Sequence, residues 1–195
     1  MRRDPVSTSA DVRAAAVLQA VTWLRVALVP VIMALVLAGP RSRYTFAIGG
    51  GLFALAAATD FVDGFLARRW AQVSSFGNFL DTTADKLLVS GALLALVAVD
   101  RASPWVALII VGRELMVLGL KGAVAAGGDI VKPSIWGKAK ANVQFLAIFL
   151  AIVRYPEAIG PLFLDEYVMI AAAVITVLSA LEYVVRFRSA ITAER

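Results

Sequence analysis

Apolar residues run through this chain in long blocks, and charges break in mainly at the edges of the blocks. The first block extends from about Val17 to Gly39 and stops at Gly39-Pro40. The others cover about Tyr44 to Leu66, Phe79 to Val99, Pro104 to Leu120, Ala139 to Val153 and Ala158 to Val185. A helix needs about 20 predominantly apolar residues to cross a bilayer. Six blocks of this kind predict an all-α polytopic membrane protein with six transmembrane helices. Pro30 inside the first block is tolerated, as membrane helices tolerate proline. No block is free of charge over the full spanning length; uncharged stretches such as Val26–Pro40 and Tyr44–Thr59 fall short of it. Each helix must therefore take charges in at its ends. Residues 1–16 read as an N-terminal cytoplasmic or interfacial segment, 17–185 as one six-helix transmembrane domain, and 186–195 as a cytoplasmic tail. Arg2, Arg3 and Arg13 precede the first block, and no small-residue cleavage site interrupts it before it is long enough to span. It is expected to be a retained helix and not a signal peptide.

The distribution of basic residues orients the helices. With the N-terminus inside, the cytoplasmic segments hold Arg2, Arg3, Arg13, Arg68, Arg69, Lys132, Lys138, Lys140, Arg186, Arg188 and Arg195, against Arg41, Arg43, Arg101 and Arg154 outside. Cytoplasmic loops carry the excess of Lys and Arg, so both termini are expected in the cytoplasm. Under this topology Arg25, Asp60, Asp63, Asp81, Asp85, Arg113, Glu114 and Lys140 fall toward the inner ends of their helices. Charges gathered at one depth predict a polar cavity that faces the cytoplasm, in a protein integral to the cell (inner) membrane.

Composition then limits the chemistry. The chain has 195 residues, 61% of them hydrophobic and 17% charged, with a mean hydropathy of +0.82. A soluble domain of this size could not bury so much apolar surface. There is no Cys and no His. That removes disulfides, thiolate sites and the commonest general base, and leaves a hard cation held by carboxylates, Mg2+ or Mn2+, as the metal to expect. The net charge of +5 is spread between the apolar blocks and forms no basic soluble face. Membrane lipids with anionic headgroups are the expected partner, and nucleic acid is not.

Four acids stand out against this background. Asp60 and Asp63 are spaced i, i+3, and Asp81 and Asp85 i, i+4, so each pair shares one face of its helix. A short cytoplasmic turn after Arg68 brings the third helix back antiparallel beside the second, which lets all four converge. Acids at membrane depth are rare unless paired, metal-bound or facing water. Four unpaired carboxylates would repel one another, whereas one or two divalent cations would neutralise them. The same stretch supplies Gly64, Ala67 and Gly77, which allow close backbone approach, and Arg68, whose planar fork suits phosphate oxygens. Gly64 and Ala67 also suit plain helix packing, and Arg68 with Arg69 an ordinary positive flank.

The pattern Asp60-x2-Asp63-Gly64-x2-Ala67-Arg68-x8-Gly77-x3-Asp81-x3-Asp85 resembles the signature of the CDP-alcohol phosphotransferase family at every fixed position. The resemblance implies six transmembrane helices, a homodimer, and a site for two metal ions formed by Asp60, Asp63, Asp81 and Asp85. It implies that Asp85 also takes the proton of the attacking hydroxyl as the catalytic base, and that Gly64, Ala67, Arg68 and Gly77 form the bed for the CDP-linked lipid. Further patches, Thr22-x2-Arg25-x4-Pro30, Gly112-Arg113-Glu114-Leu115 with Lys121, and Gly137-Lys138-x-Lys140 with Gln144, resemble the branch of that family that makes phosphatidylglycerophosphate. That branch implies CDP-diacylglycerol as donor and glycerol 3-phosphate as acceptor, with Arg113, Lys121 and Lys138 holding the acceptor phosphate. The chain departs from the branch at Ala16, where Asn is common.

Competing expectations remain at this point. The same chemistry could serve inositol phosphate or phosphatidylglycerol as acceptor. Arg113 could instead pair Glu114 as a buried structural ion pair, with Lys121 and Lys138 as topological flanks. A cation channel or transporter would explain the Asp cluster but leaves Gly64, Ala67, Arg68 and Gly77 without a role.

Overall fold

The computed structural model describes residues 9–70, 75–126 and 135–192, with side chains described for 19–42, 44–59, 77, 79–122 and 140–185. Among these residues the chain forms six α-helices: α1 (Ser9–Ala38), α2 (Arg43–Trp70), α3 (Ser75–Ala98), α4 (Pro104–Ala126), α5 (Ile135–Val153) and α6 (Leu164–Thr192). A single 3-10 turn, Gly39–Arg41, joins α1 to α2. The all-α expectation thus describes the chain, apart from one minimal hairpin. That hairpin pairs β1 (Ala158–Ile159) antiparallel with β2 (Leu162–Phe163), in the register Ala158 opposite Phe163. It occupies the start of the sixth apolar block, where Gly160 adopts φ +70 and Pro161 follows, so that α6 begins later than the hydropathy alone indicates.

Every helix outruns its apolar block at the end that carries the charges. α1 starts at Ser9, before Val17; α2 continues to Trp70, past Leu66; α6 continues to Thr192, past Val185. Backbone hydrogen bonding does not stop where apolar side chains stop, and Ala and Arg in these extensions are good helix formers. At the opposite ends the helices are closed by local devices. α3 finishes in a Schellman arrangement, with Arg101 N–H donating to Leu96 O at 2.9 Å, Asp100 N–H donating to Val97 O at 3.2 Å, and Asp100 in the left-handed region at φ 56. The guanidinium of Arg101 lies 3.5 Å from the Phe46 ring and donates from Nη1 to Ile152 O at 2.6 Å, tying the last turn of α5 to the α3–α4 loop.

α1 packs against α3 and α2, α5 against α6 and α2, and α4 against α6 and α3. The core they share holds Ile32, Val36, Phe53, Leu88, Leu93, Leu96, Ile110, Ile148 and Ile152, all fully buried. The outside is apolar as well: Leu24, Leu55, Leu94, Leu108, Leu115, Val174 and Leu181 are exposed. Contiguous apolar exteriors of this extent are a liability in water and the normal surface in lipid. Among the described residues two stretches, Gln19–Arg41 and Leu164–Val185, are long and apolar enough to cross a membrane. The interior, by contrast, carries Thr22, Arg25, Arg113, Glu114, Lys140, Gln144, Thr176 and Ser179, all buried.

Close approach of α1 to α3 depends on Gly91. A Cβ there would stand 2.7 Å from Val29 Cγ1 and 3.1 Å from Met33 Sδ. Small residues let membrane helices approach in this way. Gly91→Leu is expected to destabilise the protein by about 1–3 kcal/mol, the usual cost of overpacking, seen as a lower melting temperature in detergent. An unchanged melting temperature would show that this seam yields freely.

Candidate active site

Apart from Asp165 at the other end of α6, the buried charges and the polar groups they contact meet in one layer, contributed by α1, α3, α4, α5 and α6. α3 presents Asp81 and Asp85 one turn apart. On α1, Arg25 is 1% exposed and its Nη1 donates to Asp81 Oδ1 at 3.0 Å, while the Asp81 side chain keeps 37% of its surface open. A fully desolvated guanidinium thus fixes one oxygen of a carboxylate that still reaches solvent. Arg25 is held for its part by the α1–α3 seam, about two turns of which are lined by Val29, Ile32 and Val36.

Asp85 sits one turn deeper into α3. Its Oδ2 accepts from Lys86 Nζ at 2.7 Å, whereas its Oδ1 is buried and has no hydrogen-bond partner among the described residues. Buried carboxylate oxygens are nearly always hydrogen-bonded, so an orphan calls for a ligand or a proton. Lys86 Nζ also lies 2.8 Å from Glu114 Oε2 on α4. Glu114 is almost fully buried, and its other oxygen accepts from Lys140 on α5 and from Arg113 Nη1 at 3.5 Å. Arg113 Nη2 in turn donates to Ser179 Oγ on α6 at 2.7 Å. The result is a continuous chain, Asp85–Lys86–Glu114–Lys140/Arg113–Ser179, that crosses four helices. Beside it, Gln144 Nε2 donates to Thr176 Oγ1 at 2.8 Å, joining α5 to α6.

The aromatic face of Tyr183, one turn after Ser179 on α6, collects two cations of α4. The Arg113 guanidinium lies 5.3 Å from the ring centroid and Lys121 Nζ 5.6 Å from it, within the range of a cation–π attraction. Arg113 and Lys121, both named from the sequence as acceptor-phosphate residues, are therefore brought to one ring. Lys121 is exposed. Arg113 is buried, with both Nη groups engaged and Nε without a partner among the described residues. Its contact with Glu114 is the ion pair that the alternative reading of the sequence describes.

The remaining sequence-named residues can be placed by element. Gly77 lies in the first turn of α3. Asp60, Asp63, Gly64, Ala67 and Arg68 belong to the last turns of α2, and Lys138 to the first turn of α5; their side chains lie outside the described residues. Asp81 and Asp85 are the described half of the predicted metal quartet. The two described members are carboxylates, the donors that a hard divalent cation prefers, and Asp81 is open to solvent.

Sequence reasoning singled out neither Lys86 nor the joining role of Glu114. The signal for Glu114 was present, because an acid at membrane depth needs a named partner. Lys86 adjoins Asp85, and neighbours at i, i+1 do not face each other on a helix; only its long side chain, drawn sideways by Glu114, brings the two together. Nothing in the sequence marks Ser179 or Tyr183 among the other polar residues of α6.

Residues 16–178 match the family model described as CDP-alcohol phosphatidyltransferase. The chain is 36% identical over 174 residues to the CDP-diacylglycerol--glycerol-3-phosphate 3-phosphatidyltransferase of Bacillus subtilis (strain 168), covering 84% of this chain and 90% of that protein. It is 38% identical over 168 residues to a probable phosphatidylglycerophosphate synthase of Mycobacterium tuberculosis (strain ATCC 25618 / H37Rv), covering 85% and 78% of the two chains. It is 34% identical over 170 residues to the CDP-diacylglycerol--glycerol-3-phosphate 3-phosphatidyltransferase of Pseudomonas fluorescens, covering 84% and 85%.

Proposed function

The chain belongs to the CDP-alcohol phosphatidyltransferase family, and from that premise we propose its reaction and the roles of its residues. It is a transferase of phospholipid biosynthesis that moves the phosphatidyl group of CDP-diacylglycerol to glycerol 3-phosphate, giving phosphatidylglycerophosphate and CMP. The observation that carries this reading is that relatives named for this reaction match over more than four fifths of the chain, a span that includes all four Asp.

In the proposed mechanism the free hydroxyl of glycerol 3-phosphate attacks the phosphorus that bears the diacylglycerol. A new P–O bond forms, the bond from that phosphorus to the bridging oxygen of the pyrophosphate breaks, and CMP leaves. Asp85 accepts the hydroxyl proton on Oδ1, the oxygen left open by the contact of Oδ2 with Lys86. In a chain without His, a carboxylate is the suitable base. Arg25 keeps Asp81 turned toward the same layer. Mg2+ or Mn2+, two ions held by Asp60, Asp63, Asp81 and Asp85, would neutralise the pyrophosphate and stabilise the leaving phosphate. Gly64, Ala67, Arg68 and Gly77 form the bed for the CDP moiety. Arg113, Lys121 and Lys138 hold the acceptor phosphate by charge-assisted hydrogen bonds.

The reading extends to the membrane. Six helices span it, both termini and the polar cavity face the cytoplasm, and two copies associate as a homodimer. The extension of every helix beyond its apolar block at the charged end supports this orientation, because the substrate glycerol 3-phosphate is a soluble dianion that must enter from water.

Purified protein with CDP-diacylglycerol and Mg2+ should release CMP when glycerol 3-phosphate is added, and not with inositol phosphate or without acceptor. Release driven by inositol phosphate alone would keep the chemistry and replace the acceptor; no release with any acceptor would sink the reaction. Arg113→Ala is expected to raise the apparent KM for glycerol 3-phosphate about 10-fold or more, the worth of a charged hydrogen bond, with a smaller change in the KM for the lipid. An unchanged acceptor dependence would leave Arg113 as a purely structural partner of Glu114 and Ser179.

A further inference from the structure

We propose that Lys86 and Glu114 are a positioning pair, which sets the oxygen of Asp85 that receives the proton and couples it to the acceptor side of the site. The proposal rests on the reading of Asp85 as the base. A carboxylate on a helix can present either oxygen by rotation about its last torsion, which is broad and nearly two-fold. Here the choice is made: Lys86 Nζ holds Oδ2 at 2.7 Å, and Oδ1 stays buried without a hydrogen bond among the described residues.

Lys86 could not do this alone. Its side chain is long and flexible, its ammonium is a compact charge with no preferred fork geometry, and it is 23% exposed. Glu114 Oε2, 2.8 Å from Nζ, draws it away from solvent and across to α4. Glu114 is itself immobilised, because Oε1 takes Lys140 from α5 and Arg113 from its own helix, and the carboxylate side chain is only 3% exposed. Three cations thus share Glu114, and one of them, Lys86, is the one that reaches Asp85.

The coupling follows from the same contacts. Arg113, assigned above to the acceptor phosphate, shares Glu114 with Lys86. An anion drawing Arg113 away from Glu114 changes the charge that Lys86 faces there, so occupation of the acceptor side is felt at Asp85 through Glu114 and Lys86. Glu114 acts only through Lys86 and Arg113 and touches no reacting atom.

The test is a double-mutant cycle on the full-length enzyme in detergent, with CMP release measured per folded molecule. Lys86→Met should lower kcat about 10- to 100-fold with the KM of both substrates changed less than about threefold, a loss confined to the transition state. Lys86→Arg, which keeps a donor for both carboxylates, should recover most of the loss. In kcat at saturating acceptor, adding Glu114→Gln to Lys86→Met should cost little more, because the two act on Asp85 through one contact and are not additive, while the loss of the Arg113 partner appears in the KM for glycerol 3-phosphate. Losses that multiply in the double variant would overturn the pair, as would a Lys86→Met enzyme within about twofold of the parent kcat. Where Glu114→Gln does not fold, the contrast between Lys86→Met and Lys86→Arg decides: equal losses in both overturn the proposal. Full turnover by Lys86→Met beside an inactive Asp85→Asn overturns the pair alone, whereas near-normal turnover by Asp85→Asn overturns the reading of the base and the pair with it.

Discussion

Asp85→Asn is expected to lower kcat by about three orders of magnitude, within the 10²–10⁴ that a positioned general base contributes. Asn has nearly the shape of Asp, so the packing of α3 against α4 and α5 survives, but its amide cannot take a proton from the attacking hydroxyl. The substitution also removes the charge that Lys86 contacts at 2.7 Å. Binding of CDP-diacylglycerol should persist in part, since Asp81 and its partner Arg25 are untouched. CMP release against glycerol 3-phosphate, compared with retention of the labelled lipid on the purified protein, separates the two effects. Turnover close to the parent rate would remove Asp85 from the chemistry.

Asp165→Ala is expected to cost about 3 kcal/mol of stability, the scale for breaking a buried ion pair by removing one partner. Asp165 opens α6 at the end of the bundle away from the charged layer. Its side chain is 2% exposed, and its Oδ2 accepts from Arg154 Nε at 3.1 Å and from Nη2 at 2.8 Å. Glu166, next to it, lies 3.6 Å from Arg154 and caps the helix by accepting from Phe163 N–H at 2.9 Å. Burial and the nearby charge of Arg154 pull the Arg101 guanidinium below its ordinary value, and Asp165 opposes that shift. Without Asp165 the two arginines face each other with less compensation. Thermal unfolding in detergent should register the loss, while kcat per folded molecule should stay unchanged. A shift worth less than about 1 kcal/mol, the range of an exposed pair, would mean that water already screens this contact.

Much of the chain is legible without coordinates because its solvent is so selective. Apolar blocks of spanning length must be helices, since lipid offers no partner for a free backbone group, and six helices are what the described residues form. The spacing of Asp81 and Asp85 places them on one face of α3 for the same reason. What hydropathy does not locate is a helix end. α1 and α6 continue through polar residues, and the hairpin at Ala158–Phe163 replaces the first residues of the sixth block, because Gly160-Pro161 stops a helix whatever the hydropathy around it.

The partners of the charges are a different matter. Arg25 and Asp81 are 56 positions apart and Arg113 and Ser179 are 66 apart, and no local pattern links either pair. The sequence by itself determined the all-α class, the helices and the segments that carry the polar residues of the interior, because each of these follows from the cost of placing a residue in lipid. Only the tertiary structure decided that Arg25 holds Asp81, that Lys86 leaves Asp85 a single open oxygen, and that Glu114 gathers Lys86, Arg113 and Lys140. Those choices depend on how helices rotate about their own axes when they pack, and packing is set by the whole set of contacts between helices and not by any one of them.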